Sequence, residues 1–448
     1  MKTSTCWAVF IFLAILVLAG CDPGPLRNDI TDKDGRIVVY HGVNVSGYSK
    51  YSADFLPWQT KEDFARLRDW GFNLVRYIVL WEAIEPEEGV YNEAYLDATV
   101  QRIQWLEELG VEVLVDLHQD IYCKKYGGDG FPVWSCDDNG IEFTPRQPWN
   151  LNYLEPAVIA AYANFWNSDA LRGKYIAMAE HLLQRVDGLP NVIGLDIMNE
   201  PFNGFALGFE ACTLSAFYDD VAAMREKNGF STPLYFEPVI FMSAGFRTSL
   251  TFKPRPGFVF APHCYDLLCE LGMGYSAGGK SWMQRVIRMR VREAERFGTP
   301  MLFGEFGLRS DVDGYLDYID DFVNLMDTYH LSWTYYSFDK GSASDYAILD
   351  ENGNERENLS HLVRVYPQRI AGADYESALQ ENRFDLSYTV QAGVTAPAII
   401  FVPPRLQDVR VWVNDTEIEY AHDSPYLTVP NVSVPGTRQT VLIIWTGK

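Results

Sequence analysis

The sequence has little basic charge. Its 448 residues include 37 lysines and arginines against 60 aspartates and glutamates, which gives a formal net charge of −23. Nucleic acids and anionic membrane surfaces attract basic proteins, so this balance disfavours both as partners. Histidine and cysteine are also scarce, with 7 of each, and none of them has the spacing of a zinc site. We therefore expect no metal, no other cofactor and no nucleic-acid partner.

Internal repeats and low-complexity segments are missing as well, which argues against a solenoid. What the chain does contain is apolar: 48% of its residues are hydrophobic and 14% are aromatic. This composition supplies a large core and excludes intrinsic disorder. The length fits a barrel with insertions, or one large domain followed by a small one.

The first twenty residues have the composition of a secretory signal. Lys2 precedes the apolar run CWAVFIFLAILVLAG, which is too short for a convincing membrane-spanning helix. The ending LAGC resembles a bacterial lipobox, in which cleavage leaves a lipid-modified cysteine at the new N-terminus. We expect residues 1–20 to be removed and Cys21 to anchor a secreted protein to the cell surface. An ordinary signal peptide is the alternative.

Five cysteines follow the signal and Cys21. Cys123 with Cys136, and Cys264 with Cys269, would each close a loop, and Cys212 is left over. Pairs of this kind suit an oxidising compartment. Because the number is odd, at least one thiol is free or the pairing is wrong.

Eight short apolar runs alternate with helical patterns over the first 370 residues. The runs are continuous, rich in β-branched and aromatic residues, and bounded by Gly, Pro or Asn, which is typical of strands buried on both faces of a parallel sheet. This alternation predicts a (β/α)₈ barrel over residues 21–370. A doubly wound sheet is the alternative, but no G-x-G-x-x-G follows an early strand. The runs are residues 37–45, 73–81, 112–118, 191–199, 233–240, 257–265, 299–306 and 331–338.

The pattern changes near residue 370. From Ser387 onward the apolar runs are short, partly alternating and separated by turn residues, with no helical pattern between them. Residues 371–448 therefore read as a small antiparallel β-sandwich, joined to the barrel through a connection near residues 368–386. We expect this domain to cover barrel surface, with a binding role as the alternative.

Polar side chains stand where the predicted barrel strands end. Chemistry in such barrels takes place at the carboxyl ends of the strands. Glu200 and Glu305 end the fourth and seventh runs, and two carboxylates that converge on one cleft can divide the work of glycoside cleavage. The retaining form of that reaction would place the two carboxyl groups about 5–5.5 Å apart. The strand-end set is Arg76, His118, Asp120, Asn199, Glu200, His263, Tyr265, Glu305 and Tyr336.

Four motifs carry a resemblance to a known family. NLVRYIVLWEAIEPEEGVYN, DLHQD, IMNEP and LFGEFG resemble segments of clan A retaining glycosidases, specifically the cellulase-like family 5 that includes endoglycoceramidases. The resemblance spans the whole barrel. It implies that Glu200 is the acid/base and Glu305 the nucleophile. It also implies a set of substrate-contacting residues and two residues that support the nucleophile, Arg76 and His263. The substrate-contacting residues are Lys50, His118, Asp120, Asn199, Tyr265 and Tyr336.

The sequence departs from the family at the eighth strand. Many relatives end that strand with a tryptophan platform, whereas here Tyr336 stands at the end and Trp333 comes three residues earlier. A tyrosine can also stack on a sugar, so either ring is a candidate.

The resemblance implies hydrolysis of the bond between oligosaccharide and ceramide in glycosphingolipids. We expect the enzyme to be a monomer. Apolar residues in the loops after strands three, four and six would suit a lipid, although such residues can also just pack the loops. Three alternatives stay open: cleavage of a polysaccharide such as cellulose or mannan, exo-cleavage of a glucosyl lipid, and a carbohydrate-binding lipoprotein without activity. The loop residues are Phe131, Pro132, Trp134, Phe202, Phe205, Leu207, Phe209, Leu267, Leu268, Leu271, Met273 and Tyr275.

Overall fold

The barrel predicted from the sequence is confirmed. The computed structural model describes residues 28–342, 345–420 and 424–446. Eight parallel strands, numbered one to eight below, pair in chain order, and strand eight returns to strand one. They are His41–Val45, Leu74–Leu80, Glu112–His118, Val192–Asp196, Leu234–Phe236, Phe258–Phe260 continued by His263–Cys264, Leu302–Phe306 and Ser332–Tyr335.

Strand six is interrupted, and the interruption serves the site. Its first half pairs with strand five, and its second half pairs with strand seven. The break falls at Ala261 and Pro262, where proline has no N–H to offer a neighbouring strand. Beyond the break, His263 stands in register with Glu305. The barrel therefore closes with these two side chains next to each other.

Helices surround the barrel, as the alternating pattern predicts. The first, Lys61–Trp70, begins with a capping box formed by Thr60 and Asp63 and ends at Gly71. The other α-helices are Trp81–Ile84, Glu93–Glu108, Pro156–Asn167, Asp169–Val186, Ser215–Asn228, Leu267–Glu270, Ala277–Phe297, Tyr315–Tyr329 and Glu357–Leu362. Short 3₁₀ or π turns lie at Gly47–Lys50, Lys124–Tyr126, Val133–Ser135, Trp149–Leu154, Glu210–Leu214 and Ile240–Ala244.

Two antiparallel sheets form the C-terminal sandwich. Four strands build the first sheet, in the order Ile37–Val38, Tyr366–Ile370, Ala398–Phe401 and Tyr426–Val429. Five strands build the second sheet, in the order Gly372–Gln380, Arg383–Val390, Arg438–Thr446, Gln407–Val413 and Thr416–Ile418.

The first apolar run does not form one strand, contrary to the expectation for residues 37–45. Its hydrogen bonding changes partner in the middle: the Val39 N–H donates to Gln368 in the sandwich, whereas the Tyr40 carbonyl accepts from Trp333 in the barrel. The run is apolar throughout because the sandwich sheet buries its first part and the barrel sheet buries its second part. Ile37–Val38 therefore belongs to the sandwich sheet.

The expected connection near residues 368–386 is also wrong, because strands fill it. Tyr366–Ile370, Gly372–Gln380 and Arg383–Val390 follow one another almost without a gap. The segment GADYESALQ hides its strand, since Gly, Ala, Asp and Glu have low β-propensity. Its burial nevertheless alternates, with Tyr375 buried between exposed neighbours.

The sandwich packs on the amino-terminal end of the barrel. The His41 ring, at the start of strand one, stacks on Tyr366 at 3.5 Å and on Trp333 at 4.5 Å. The Tyr366 hydroxyl donates to the carbonyl of Gly71 at 2.6 Å. Gly71 adopts φ 76°, and a Cβ there would lie 2.4 Å from the Phe401 ring, so this contact requires glycine. The domain thus lies at the end opposite to the strand termini that carry the polar side chains.

The proposed disulfides are not formed. Within residues 28–342, 345–420 and 424–446 all five cysteines are free thiols, including both members of each suggested pair. The suggested lipidation site Cys21 and the signal segment 1–20 lie outside the described residues. None of the described helices is long and apolar enough to cross a membrane.

Candidate active site

The predicted strand-end residues converge at the carboxyl end of the barrel. Arg76 comes from strand two, His118 from strand three, His263 from strand six and Glu305 from strand seven. Glu200 follows strand four in a left-handed backbone conformation, with φ 40°, which is uncommon for a residue with a side chain. Its position is therefore fixed by the surrounding structure.

Arg76 is the centre of the cluster. Its guanidinium is fully buried and donates to Glu305 Oε1 at 2.6 Å, to Asp196 Oδ2 at 3.0 Å and to Glu237 Oε1 at 3.1 Å. Asp116 Oδ1 lies 2.9 Å away as a fourth carboxylate. Burial opposes a charged guanidinium, but these carboxylates raise the pKa of Arg76 well above its ordinary value. The cation is thus permanent.

Both oxygens of Glu305 have a partner. Arg76 donates to Oε1, and the Tyr265 hydroxyl donates to Oε2 at 2.8 Å. Burial and then the charge of Glu305 raise the pKa of Tyr265 well above its ordinary value, so the phenol keeps its proton. The Glu305 carboxyl group is held in one orientation at the mouth of the barrel.

Glu200 has a different environment. Its Oε1 lies 2.9 Å from His263 Nδ1 and 3.5 Å from the Ser243 hydroxyl. Burial raises the pKa of Glu200 to about 7, with a further contribution from Glu305, while His263 opposes the shift. A carboxyl group of this kind can hold a proton near neutral pH and release it during a reaction.

His263 lies between the two glutamates, which limits their separation. Its Nδ1 is 2.9 Å from Glu200 Oε1 and 3.8 Å from Glu305 Oε2. These carboxylate oxygens are therefore less than about 7 Å apart, compared with roughly 5–5.5 Å for retaining and 6.5–9.5 Å for inverting glycosidases. Although expected beside the nucleophile, His263 lies nearer to Glu200.

A second charged cluster borders the same cleft. Lys50 Nζ contacts Asp120 Oδ2 at 2.7 Å, and His118 lies between Asp116 at 2.7 Å and Asp120 at 3.3 Å. Burial and Lys50 oppose a charged imidazole, but Asp116 and hydrogen bonds to both aspartates raise the pKa of His118 to about 9. Charged groups fixed in this way can bind sugar hydroxyls with defined geometry.

The same cluster has an arrangement that could hold a metal ion. Ligand atoms of His118, Asp120 and Asp129 lie within 4.8 Å of one another. However, the ammonium group of Lys50 already contacts Asp120, so a cation is built into the site. We therefore assign no metal chemistry to these residues.

The structure distinguishes the two candidate rings of strand eight. Trp333 is fully buried and stacks on His41, near the sandwich. Tyr336 follows the strand, and its ring lies 5.5 Å from Lys50 Nζ. Tyr336 is therefore the ring that faces the cleft. It also borders a cavity of about 590 Å³ that is lined by Tyr48, Tyr51, Trp58, Asp339, Lys340 and Tyr346 among others.

Sequence reasoning missed several residues of the site. Glu237, just after strand five, contacts Arg76 and the Glu200 backbone, and Gln119 donates to the carbonyls of Asn199 and Glu200. Asn199 is fixed in turn, because its amide donates to Gln119 and its oxygen accepts from Arg76. Glu237 carried a usable signal: it is a lone carboxylate inside the apolar run PLYFEPVI, directly after the strand Leu234–Phe236.

Among the apolar loop residues Trp134 and Tyr275 are half-buried against the core, and the others divide into two groups. Phe131, Phe202 and Phe209 are buried and pack the loops onto the barrel. A second group is exposed after strands four, five and six, on the side of Glu200 and His263. It comprises Phe205, Leu207, Phe246, Leu267, Leu268, Leu271 and Met273. Four more apolar residues, Val133, Ile141, Trp149 and Leu154, are exposed in the segment after strand three. We call the larger group, after strands four, five and six, the apolar side, and the region of Lys50, His118 and Tyr336 the charged side.

A closed barrel whose mouth holds two facing glutamates, one tied to a buried arginine and one to a histidine, is the arrangement of a glycoside hydrolase. The comparisons with known proteins agree. The family described as Cellulase (glycosyl hydrolase family 5) matches residues 31–342. The chain belongs to this family.

The relatives are similar over most of the chain. Endoglycoceramidase I of Rhodococcus hoagii (strain 103S) is 30% identical over 399 residues, which cover 83% of this chain and 78% of that protein. The structure of endo-glycoceramidase II from Rhodococcus sp. in complex with ganglioside GM3 superposes with a TM-score of 0.85 at 27% identity, covering 94% of this chain and 100% of the other. A glucosylceramidase of Rhizopus delemar matches only 39% of this chain and 35% of its own length, at 27% identity.

Replacement of Arg76 should destabilise the fold in a pH-dependent way. Arg76→Met leaves buried carboxylates without their cation, and breaking such an ion cluster costs about 3–5 kcal/mol. The orphaned carboxylates acquire raised pKa values, so the loss should be larger at pH 8 than at pH 5. The free energy of unfolding from denaturant titration measures both effects.

The matched control is Arg410→Met. Arg410 forms an ion pair with Glu417 on the sandwich, and its side chain is 61% exposed. We expect a much smaller loss than for Arg76→Met, because solvent screens an exposed ion pair. Equal losses in the two variants would contradict the central role of Arg76.

Proposed function

We propose that the protein is a retaining endo-β-glycosidase that hydrolyses the bond between the oligosaccharide and ceramide of glycosphingolipids and releases the intact glycan. The observation that carries the chemistry is the pair Glu200 and Glu305 in unlike environments at one cleft. The similarity to endoglycoceramidases over most of the chain supports the choice of substrate.

In this proposal Glu305 is the nucleophile. Its carboxylate attacks the anomeric carbon while Glu200 donates its proton to the leaving ceramide oxygen, so a glycosyl ester forms as the old bond breaks. Glu200, now ionised, takes a proton from a water molecule that attacks the ester from the vacated side. The glycan leaves with retained configuration, and both glutamates return to their starting states.

The charged side of the mouth would bind the first sugar. Asn199, which Arg76 and Gln119 hold in place, would bind the 2-hydroxyl group. Lys50, His118 and Asp120 would bind other hydroxyl groups. Tyr336 would stack on the ring, because a tyrosine face packs well against the C–H surface of a sugar.

The apolar side would accept the ceramide. The leaving group must lie beside the acid/base residue, and the exposed apolar loops follow strands four, five and six, next to Glu200 and His263. Leu207 is fully exposed, and Leu268 is 55% exposed. Exposed apolar residues grouped at a cleft mark a surface for an apolar ligand. If the substrate were a polysaccharide, the apolar side would have no apolar ligand to bind.

The two glutamates should respond differently to substitution. Glu305→Gln should abolish turnover on every substrate, because the nucleophile is lost. Glu200→Ala should slow cleavage of glycosides with poor leaving groups by roughly 10²–10⁴-fold, the usual contribution of general acid catalysis. Formation of the glycosyl-enzyme from an activated aryl glycoside, whose leaving group needs no proton, should be affected much less. Burst kinetics measure this step, and equal losses on both substrates would contradict the assignment.

The products formed from a ganglioside test the substrate. We expect the purified protein lacking residues 1–21 to release intact oligosaccharide and free ceramide from a ganglioside in detergent, as seen by mass spectrometry. Glucosylceramide and cellulose are incubated in parallel. Release of single terminal sugars, or turnover of cellulose without ceramide from any glycolipid, would refute the proposal.

A pair of surface variants checks the lipid side. Leu268→Asp should lower kcat/KM on the micellar ganglioside by roughly tenfold, because burying a leucine side chain contributes about 1.5–3 kcal/mol. Val434→Asp is the matched control, since Val434 is 70% exposed on the sandwich. Neither substitution should alter turnover of a soluble aryl glycoside.

We further propose that Cys21 carries a lipid that holds the secreted protein at the cell surface. The support is the LAGC ending of the N-terminal apolar run. In bacteria producing the full chain, the protein should be found in the membrane fraction, and Cys21→Ala should move it to the soluble fraction. Unchanged fractionation of Cys21→Ala would refute the anchor.

A further inference from the structure

Glu237 is a buried carboxylate without a role in the reaction described above. It follows strand five, and its side chain is 1% exposed. Its carbonyl accepts a hydrogen bond from the Tyr218 hydroxyl at 2.6 Å, which fixes the backbone at this point. A buried carboxylate is costly unless it is paired, so its partners indicate its purpose.

The described residues make two hydrogen bonds and one ion pair with this side chain. The Glu200 N–H donates to Oε2 at 2.9 Å, and Arg76 Nη2 donates to Oε1 at 3.1 Å. His263 Nε2 forms an ion pair with Oε1, also at 3.1 Å. A glutamine could not replace the carboxylate, because its NH₂ group would face one of these donors. The site therefore requires an acceptor on both sides.

These contacts hold the acid/base residue from two directions. The first fixes the backbone of Glu200, whose φ of 40° needs support from its surroundings. The second is the ion pair with His263 Nε2 at 3.1 Å, which attracts one edge of the ring while its other nitrogen lies 2.9 Å from Glu200 Oε1. Gly304 lies against the ring, since a Cβ there would be 2.8 Å from Nε2. Glu237, His263 and Glu200 thus form a continuous chain that ends at the reactive carboxyl group.

We propose that Glu237 is a positioning residue for Glu200: its carboxylate sets the backbone of Glu200 and keeps the His263 imidazole turned toward the Glu200 carboxyl group. This inference rests on the proposed function and deepens it. It assigns to strand five a share in general acid catalysis that neither the sequence motifs nor the paired glutamates require.

The charges around His263 show how Glu237 acts. Glu200 faces the ring from the loop after strand four, Glu237 from strand five and Glu305 from strand seven, with Asp116 and Asp196 farther away. Arg76 is the cation that Glu237 and Glu305 share. Burial lowers the pKa of an imidazole, but Glu237 and then Glu305 raise that of His263 well above its ordinary value.

Removal of the Glu237 charge should therefore change the protonation of its neighbours. In Glu237→Gln the imidazolium of His263 loses a principal counter-ion and releases its proton at lower pH. The imidazolium lowers the pKa of Glu200 in the wild type, so its loss should raise the pKa of Glu200 further. The basic limb of the kcat/KM profile, expected at about pH 7 from the pKa of Glu200 in the wild type, should move to higher pH.

Kinetics give the first readout. We expect Glu237→Gln to lower kcat on a glycoside with a poor leaving group by roughly tenfold or more, part of the 10²–10⁴-fold that general acids contribute. Glycosyl-enzyme formation from an activated aryl glycoside should change by less than about threefold. Equal losses on the two substrates with an unmoved basic limb would show that Glu237 only maintains the fold, and would overturn the proposal.

A second readout does not depend on activity. In protein labelled with ¹⁵N-histidine, the His263 resonances are assigned by their loss in His263→Gln. We expect an imidazolium at neutral pH in the wild type and a lower titration midpoint in Glu237→Gln. An unchanged midpoint would overturn the proposal. The expected shift in a protein that cleaves no glycolipid would leave the inference intact and refute only the substrate.

Two further variants separate charge from folding. Glu237→Asp keeps the carboxylate, so the basic limb should stay in place. The value of kcat should fall, because the shorter side chain does not reach its partners as well. This variant also supplies the leaving-group comparison if Glu237→Gln does not fold. Glu210→Gln is the matched control, because Glu210 is buried behind strand five and accepts from Val239 and Ser249 without touching Glu200 or His263. Its basic limb should not move, and a shift equal to that of Glu237→Gln would contradict the proposal.

Discussion

The site depends on one buried cation. Arg76 lies inside a barrel mouth that would otherwise bring several carboxylates together without compensation, and it contacts Asp116, Asp196, Glu237 and Glu305. A lysine could not replace it, because its single ammonium cannot donate in five directions within one plane. Even so, the carboxylates outnumber the cation. Burial and Glu237 raise the pKa of Asp196 well above its ordinary value, so a charge on this carboxyl group is opposed even beside Arg76.

This cation also makes the two reacting glutamates unlike. Glu305 is tied directly to Arg76 and to a phenol, an environment that suits a carboxylate poised for attack. Among the described residues Glu200 makes no direct contact with Arg76, while Glu237 contacts both, and burial raises the pKa of Glu200 to about 7. Two carboxyl groups of the same type thereby acquire different tasks through position alone.

Sequence patterns predicted the barrel because continuous apolar runs report burial on both faces, and they predicted Glu200 and Glu305 because a carboxylate at a strand end is costly without a use. They could not show that residues 37–45 supply two sheets, since both sheets bury the run. They also could not decide whether Trp333 or Tyr336 is the ring that stacks on a sugar, because only the fold shows which ring faces the cleft. Glu237 showed the same signal as Glu200, a lone carboxylate in an apolar run, but its partners Arg76, Glu200 and His263 are brought to it only by the fold.

The two ends of the barrel bear on how the enzyme meets its substrate. Ile37–Val38 pairs with the sandwich at the amino-terminal end, so the chain enters the fold on the side opposite to the cleft. A lipid at Cys21 would then hold the protein by a tether at the sandwich end, since only six residues separate Cys21 from Asn28, a span of at most about 25 Å. The apolar loops beside Glu200 would face away from the anchoring membrane. Such an arrangement suits glycolipids presented from outside the cell rather than lipids of the anchoring leaflet.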